Sequence, residues 1–246
     1  MPLEIEILKP KYYQDSEVSG NLALAKKIEA QYGGIINEVC SVGYSNLEPF
    51  LLIGLFFVES RGDAKAHNGA AYGIGQIDQK TASNIPFWLN SRAKIMTTGQ
   101  KDMIVKLFGQ KRADCMLGLK WDNSPSACSG GRLDSKTRQL VGPDSIALVT
   151  IEELLNPVIN IWLASMFFDY LIDKYSTGGT VVTAPTKVRF DRLITHYNAG
   201  QGNAAKLPKA SALDTLRYVS KNISPITSDY ILKIVGTNGM YDVLTR

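Results

Sequence analysis

Histidine is almost missing from this 246-residue chain, with two copies, and cysteine is scarce, with three. Two histidines and the scattered Cys40, Cys115 and Cys128 form no ligand cluster, so neither a metal nor another cofactor is expected. Cys115 and Cys128 share a polar stretch and could pair, but three free thiols with Cys40 buried are the simpler expectation. Long hydrophobic runs are lacking too. The longest, Phe50 to Val58, is about half of what a membrane span needs, so no span is expected. The opening "MPLEIEILKPKYYQDSE" has acids and a proline where a secretory leader has a basic start and an apolar centre. No block of like charge and no basic-aromatic stripe points to nucleic acid. The net charge of +4 is mild; it suits ordinary solubility better than a surface built for an anionic polymer.

What is present is a globular composition, 45% hydrophobic and 20% charged. Leu24, Ala25, Ile28 and Tyr32 fall at helical spacing between glycines, which predicts a helix over residues 20–34. In "SNLEPFLLIGLFFVESRG", Pro49 suits a first helical position with Ser45 or Asn46 capping near it. The residues that follow leave almost no polar face, so this helix should be buried all round and stop at Gly62. Periodicity weakens from Phe87 to Glu153, a loop-rich insertion with short helices near Asp102 to Leu107. It returns in "NPVINIWLASMFFDYLIDKY", capped by Asn156 and started by Pro157. Further helices are expected in "KVRFDRLITHYNAG", in "SALDTLRYVSKNI" and over Ser228 to Val235. A hairpin or extended turn is allowed around Ala71 to Ile77 by Gly69, Gly73 and Gly75. The fold class is therefore all-α, mainly helical and α+β at most.

The segment "FFVESRGDAKAHNGAAYGIGQIDQ" raises a chemical question, because a greasy helix ends on a carboxylate, Glu59. Lost hydration there disfavours the charged form, and the C-terminal end of the helix dipole pushes the same way. An acid kept protonated near neutral pH is what protonates a glycosidic oxygen. Taken alone, Glu59 is more simply a helix-terminal glutamate turned to solvent or paired with Arg61. "GAAYGIGQID" is an ordinary glycine-rich turn on its own terms, although Gln76 offers an acetamido group both donor and acceptor. "THYNAGQGN" reads equally well as a capped helix end.

As an ordered set the segments are more specific. Glu59-Ser60, Gly73-Ile74-Gly75-Gln76, Asn160-Ile161, Tyr197-Asn198-Ala199-Gly200 and Asp214-Thr215-Leu216-Arg217-Tyr218-Val219 follow one another in the chain. This order resembles the soluble-type lytic transglycosylases, goose-lysozyme-like enzymes, across residues 21–223. The resemblance implies a lysozyme-like fold with a small hairpin near the active site. It implies cleavage of the β-1,4 bond between N-acetylmuramic acid and N-acetylglucosamine in peptidoglycan glycan strands, leaving 1,6-anhydromuramoyl ends. Glu59 would be the single catalytic acid/base, and Ser60, Gly73, Gln76, Tyr197, Asn198 and Tyr218 would surround the sugar. Ser60 fits a structural hydrogen-bonding partner better than a nucleophile.

Departures from the family pattern bear on mechanism. Gly75 stands where the family has methionine, and Asp214 where it has glutamate. His67 or Asn68 stands near a serine position of the family, and His67 reads more simply as a solvated loop histidine. "GQID" is also similar to the Q-V-D of goose-type lysozymes, so a hydrolytic muramidase remains an alternative, with Asp78 or Asp63 as second carboxylate. A catalytically weak wall-binding virion subunit is a third reading. The expected organisation is an extension over residues 1–20, one domain over 21–224 with the insertion at 87–153, and a C-terminal helix over 225–246 packed on that domain. With no leader in view, the expectation is a bacteriophage product acting on the bacterial cell wall, in a virion or at lysis. Other virion proteins are then further expected partners.

Overall fold

The chain starts with a short strand, β1 (Leu8–Lys11), and a long helix, α1 (Asp15–Val42), in a computed structural model that describes residues 3–117, 132–133, 140–141, 148–177 and 187–246. The helix outruns the 20–34 expected, because its buried stripe of Ala25, Ile28, Tyr32, Ile36 and Val39 continues through Gly33 and Gly34. Packing of that stripe overrides the cost of about 1 kcal/mol that each mid-helix glycine carries relative to alanine. The chain divides into two compact units, one of residues 1–37, 45–62 and 171–246, the other of residues 38–44 and 63–170.

In the first unit α2 (Pro49–Ser60) follows, with Pro49 at its first position and Glu48, rather than Ser45 or Asn46, as its N-cap. Leu51 through Phe57 are buried on every side of α2. Each such aliphatic or aromatic side chain contributes about 1.5–3 kcal/mol when fully withdrawn from water. The helix ends at Arg61, in the left-handed region at φ 54°, and then at Gly62. A Cβ on Gly62 would come within 2.6 Å of the Ile28 side chain, so glycine is required both as a stop and for the approach of α1.

The second unit opens with three two-residue strands, β2 (His67–Asn68), β3 (Ala71–Tyr72) and β4 (Ile77–Asp78). They form an antiparallel sheet in which Tyr72 faces both His67 and Ile77, in the region where a hairpin or extended turn is expected. After it come α3 (Gln79–Phe87), a π-helical turn over Trp88–Ala93, α4 (Thr98–Phe108) and α5 (Gln110–Leu117). The weakly periodic stretch therefore holds more helix than its sequence pattern suggests. Cys115, in α5, is disulfide-bonded rather than the free thiol expected, and Cys40 is a free, buried thiol. Cys128, with which it could pair, lies outside the described residues. Strands β5 (Arg132–Leu133) and β6 (Leu140–Val141) pair antiparallel, and α6 (Ile151–Leu154) leads into α7 (Pro157–Lys174).

Asn156 caps α7 as expected, its Oδ1 accepting the Val158 N–H at 3.0 Å. Almost all of α7 is buried, and one of its buried groups is a carboxylate, Asp169. Asp169 Oδ2 accepts from Gln100 Nε2 at 2.6 Å and from the Tyr44 N–H at 3.1 Å. Such bonds are what a buried carboxylate requires. Trp88 stacks on Tyr170 with ring centroids 5.4 Å apart, which anchors the π-helical turn on α7.

The chain then completes the first unit with β7 (Ser176–Thr177), β8 (Lys187–Val188), α8 (Phe190–Ala199), α9 (Gln201–Ala204), α10 (Ala212–Asn222), α11 (Pro225–Val235), β9 (Gly236–Thr237) and α12 (Met240–Thr245). Helix α11 begins three residues before the expected Ser228, because Ser224 caps it and Pro225 occupies its first position. Strands β1 and β9 pair in parallel, Leu8 opposite Gly236, which ties the two ends of the chain together. Helix α11 packs on α2, α8, α10 and α12, and α12 packs on α2. The crossing of α12 on α2 depends on Gly54, where a Cβ would lie 3.2 Å from that of Met240. The chain is mainly helical with small sheets, as its sequence indicates. Among the described residues no helix is long and apolar enough to cross a membrane.

Candidate active site

Glu59 occupies the last turn of α2, two residues after the fully buried Phe56 and Phe57. Burial raises its carboxyl from the ordinary 4.5 to about 7, and a hydrogen bond from the Tyr230 hydroxyl to Oε1 offsets part of that rise. Tyr230 belongs to the buried face of α11 and is only 6% exposed. Its phenol is held well above the usual tyrosine range, by burial first and then by the neighbouring Glu59 and Tyr197. The hydroxyl is therefore protonated, and a donor, near neutral pH.

Tyr197 and Asn198 sit near the end of α8, which packs on α11. Asn198 Oδ1 accepts from the Thr227 hydroxyl at 2.7 Å, and Thr227 lies one helical turn before Tyr230. Helix α11 thus gathers Glu59, Tyr197 and Asn198, three residues singled out by sequence, through Tyr230 and Thr227, two that were not. Tyr218 is half-buried on α10, which packs on both α8 and α11. Ser60 has a structural role, its hydroxyl donating to Phe56 O and accepting from the Gly62 N–H, each at 3.2 Å. His196, beside Tyr197, is buried and bonded through Nδ1 to the Tyr175 hydroxyl at 2.9 Å. Burial first, and then the Lys174 charge, lower it to about 4, so it is neutral near pH 7.

The remaining sequence candidates lie in the second unit, on and around its small sheet. Gly73 has φ 75°, and a Cβ there would fall 2.2 Å from Leu154 O and 2.4 Å from Asn160 Nδ2, so no other residue fits. Asn160, 0% exposed on α7, clamps this loop: Oδ1 accepts the Gly75 N–H at 2.8 Å, while Nδ2 donates to Tyr72 O and Leu154 O, both at 2.9 Å. The ordered pairing of the glycine segment with Asn160-Ile161 therefore has a mechanical cause. Gln76 adopts φ 48° and turns its amide back into the same loop, Nε2 donating to Ala66 O at 3.0 Å and Gly73 O at 2.8 Å. Both amide hydrogens are thereby engaged, which leaves the carbonyl oxygen as the group Gln76 can offer a ligand.

The two aspartates considered as a second carboxylate are both engaged locally. Asp78 caps α3, Oδ1 accepting the Thr81 N–H at 2.9 Å and Oδ2 the Thr81 hydroxyl at 2.5 Å. Asp63 is exposed in a turn and accepts the Lys65 N–H at 2.8 Å. Asp214, in the first turn of α10, is likewise engaged at the surface, its carboxylate accepting from the Ser211 hydroxyl at 2.7 Å and from Arg217 at 3.0 Å. His67 is exposed on β2. Among the described residues no three His, Cys, Asp or Glu side chains converge where a metal ion would be held. No family model matches the chain, and no match is found among curated proteins.

Proposed function

We propose that the chain is a peptidoglycan lytic transglycosylase with Glu59 as its single acid/base. The observation that carries this reading is a carboxyl raised by burial to about 7 and held by the phenol of Tyr230. With Oε1 engaged by Tyr230, Oε2 is the oxygen that carries the proton. A proton held with a pKa near neutrality can be donated to the leaving glycosidic oxygen and then recovered, which is the demand of general acid/base catalysis. In the return step Glu59 takes the proton of the muramoyl 6-hydroxyl as that oxygen closes on the anomeric carbon. The ring forms a 1,6-anhydro bond and no water is consumed.

Tyr197 stands beside the acid through its neighbour Tyr230, where its phenol can face the developing oxocarbenium ion. Asn198 is exposed, and its bond to Thr227 fixes the angle at which its amide meets a glycan. Inverting hydrolysis would need a free second carboxylate about 6.5–9.5 Å from the first to activate water. The engagement of Asp78 by Thr81 and of Asp63 by Lys65 favours the water-free route. Action on the bacterial wall as a phage product, with other virion proteins as partners, belongs to the same proposal.

The test is mass spectrometry of the fragments released from purified peptidoglycan by the chain and by Glu59→Gln. Anhydromuramoyl ends that vanish in the variant are the expected result. Reducing ends instead would make the chain a muramidase. No release from several wall types would favour the wall-binding subunit.

A further inference from the structure

The end of α2 presents a second chemical feature on the side turned away from Glu59. Residue 59 falls about 200° around α2 from residue 57, and Arg61, just past the helix end, folds back over the Phe57 ring. On that side a surface recess of about 180 Å³ is lined by Tyr12, Tyr13, Glu17, Phe57, Arg61 and Lys233, all in the first unit. Its two cations rest on aromatic faces, Arg61 Cζ 5.6 Å from the Phe57 centroid and Lys233 Nζ 4.6 Å from that of Tyr12. Among the described residues neither cation has a carboxylate partner. The one acid on the rim, Glu17, caps α1 instead, its Oε2 accepting the Gln14 N–H at 2.7 Å.

Tyr13 forms the floor. Its ring packs edge-on to Tyr12 and Phe57, with centroids 5.1 Å and 6.2 Å away. Its hydroxyl has no hydrogen-bond partner among the described residues, is not sealed from solvent, and lies within electrostatic reach of Arg61 on a residue that lines the recess. Arg61 reaches this place from a left-handed backbone at φ 54°, a conformation that costs an arginine what it would not cost a glycine. Two unpaired cations and an unpaired phenol hydroxyl therefore converge on one recess walled by rings. A planar guanidinium meets two oxygens of an anion at once, an ammonium adds a point charge, and a phenol adds a third donor.

We propose that this recess is a binding site for an oxyanion, the carboxylate or phosphate group of a ligand, distinct from the Glu59 site. Its volume corresponds to roughly six water molecules, enough for one such group and a short stem. The site is independent of the glycan-cleaving reading and stands whether or not that reading holds.

The test is a titration of the ¹⁵N-labelled full chain with inorganic phosphate and, separately, with acetate, at ionic strength held constant with sodium chloride. Saturable amide shifts confined to residues 12–17, 57–62 and 233 are the expected result. Saturation by phosphate alone assigns the phosphate group, and saturation by acetate alone or by both assigns the carboxylate or a shared site. Arg61→Asn removes the guanidinium while keeping a residue at ease in the left-handed region, and Lys233→Gln removes the other charge without touching the helix end. Each should weaken binding about tenfold. Shifts that never saturate with either probe, or saturable shifts that both variants leave unchanged, would overturn the proposal.

Discussion

Replacing Glu59 with glutamine should make the protein more stable above pH 7 and leave its stability near pH 4.5 almost unaltered. The carboxyl titrates near 4.5 in an unfolded chain and at about 7 in the folded one. Between those values the folded state binds more protons than the unfolded state, so wild-type stability falls as pH rises through the window. Below pH 4.5 both states are protonated and the effect is absent; above 7 it is complete. At about 1.4 kcal/mol per pH unit, the gap corresponds to about 3 kcal/mol, and partial solvent access to Glu59 brings this nearer 2 kcal/mol. For a chain of this size 2 kcal/mol moves the melting temperature by roughly 4–8 °C. The assay is thermal unfolding of wild type and Glu59→Gln at half-unit steps from pH 4 to pH 8.5. The two melting curves should separate progressively between pH 4.5 and 7 and then run parallel. A constant offset across the whole range would refute the argument, because it would mean that Glu59 has the same proton affinity folded and unfolded. The measurement requires no substrate, so it tests the buried acid apart from what the acid is for.

Three further outcomes follow from the same geometry. Tyr230→Phe removes a bond that holds the Glu59 value down, so the alkaline limb of glycan cleavage should move up by about one pH unit while turnover falls, as read from a pH–rate profile. Asn160→Ala leaves the Gly75 N–H and the Tyr72 and Leu154 carbonyls unpaired in a buried place, and urea unfolding should register a loss of about 3 kcal/mol. Asp78→Asn keeps an N-cap acceptor for Thr81 and removes the charge, so product yield should stay within about twofold of wild type. A loss of a hundredfold or more would instead identify Asp78 as a general base.

Helix α2 was legible almost to the residue, because a wholly apolar run between Pro49 and Gly62 has few alternatives. Helix α1 was not, since Gly33 and Gly34 look like punctuation until the buried stripe is seen to continue through Ile36 and Val39. The start of α11 is hard to see by apolar spacing, since "SPITS" has little of it, and is marked only by the capping signal of Ser224-Pro225.

At the candidate site the same contrast holds for a chemical reason. Glu59 stands out in sequence because a carboxylate at the end of a buried helix conflicts with its surroundings, and such conflicts are visible one residue at a time. Tyr230 conflicts with nothing, since a tyrosine among Ile231, Ile234 and Val235 fits an apolar helix face; its role comes from a hydroxyl that meets a residue 171 positions away. Asn160 is the intermediate case. Its place in an ordered motif marks it for notice, but only its two bonds to the glycine loop reveal why the two segments must occur together. Asp78 runs the other way, since the "QID" pattern suggests chemistry while the Thr81 backbone and hydroxyl give its carboxylate a capping role. A motif thus marks where atoms are constrained, and the partner of each polar atom separates a constraint of folding from one of catalysis. By that criterion Glu59 remains the candidate whose one hydrogen-bond partner among the described residues is itself a buried proton donor, and a raised, buried acid is expensive to keep unless its proton is used.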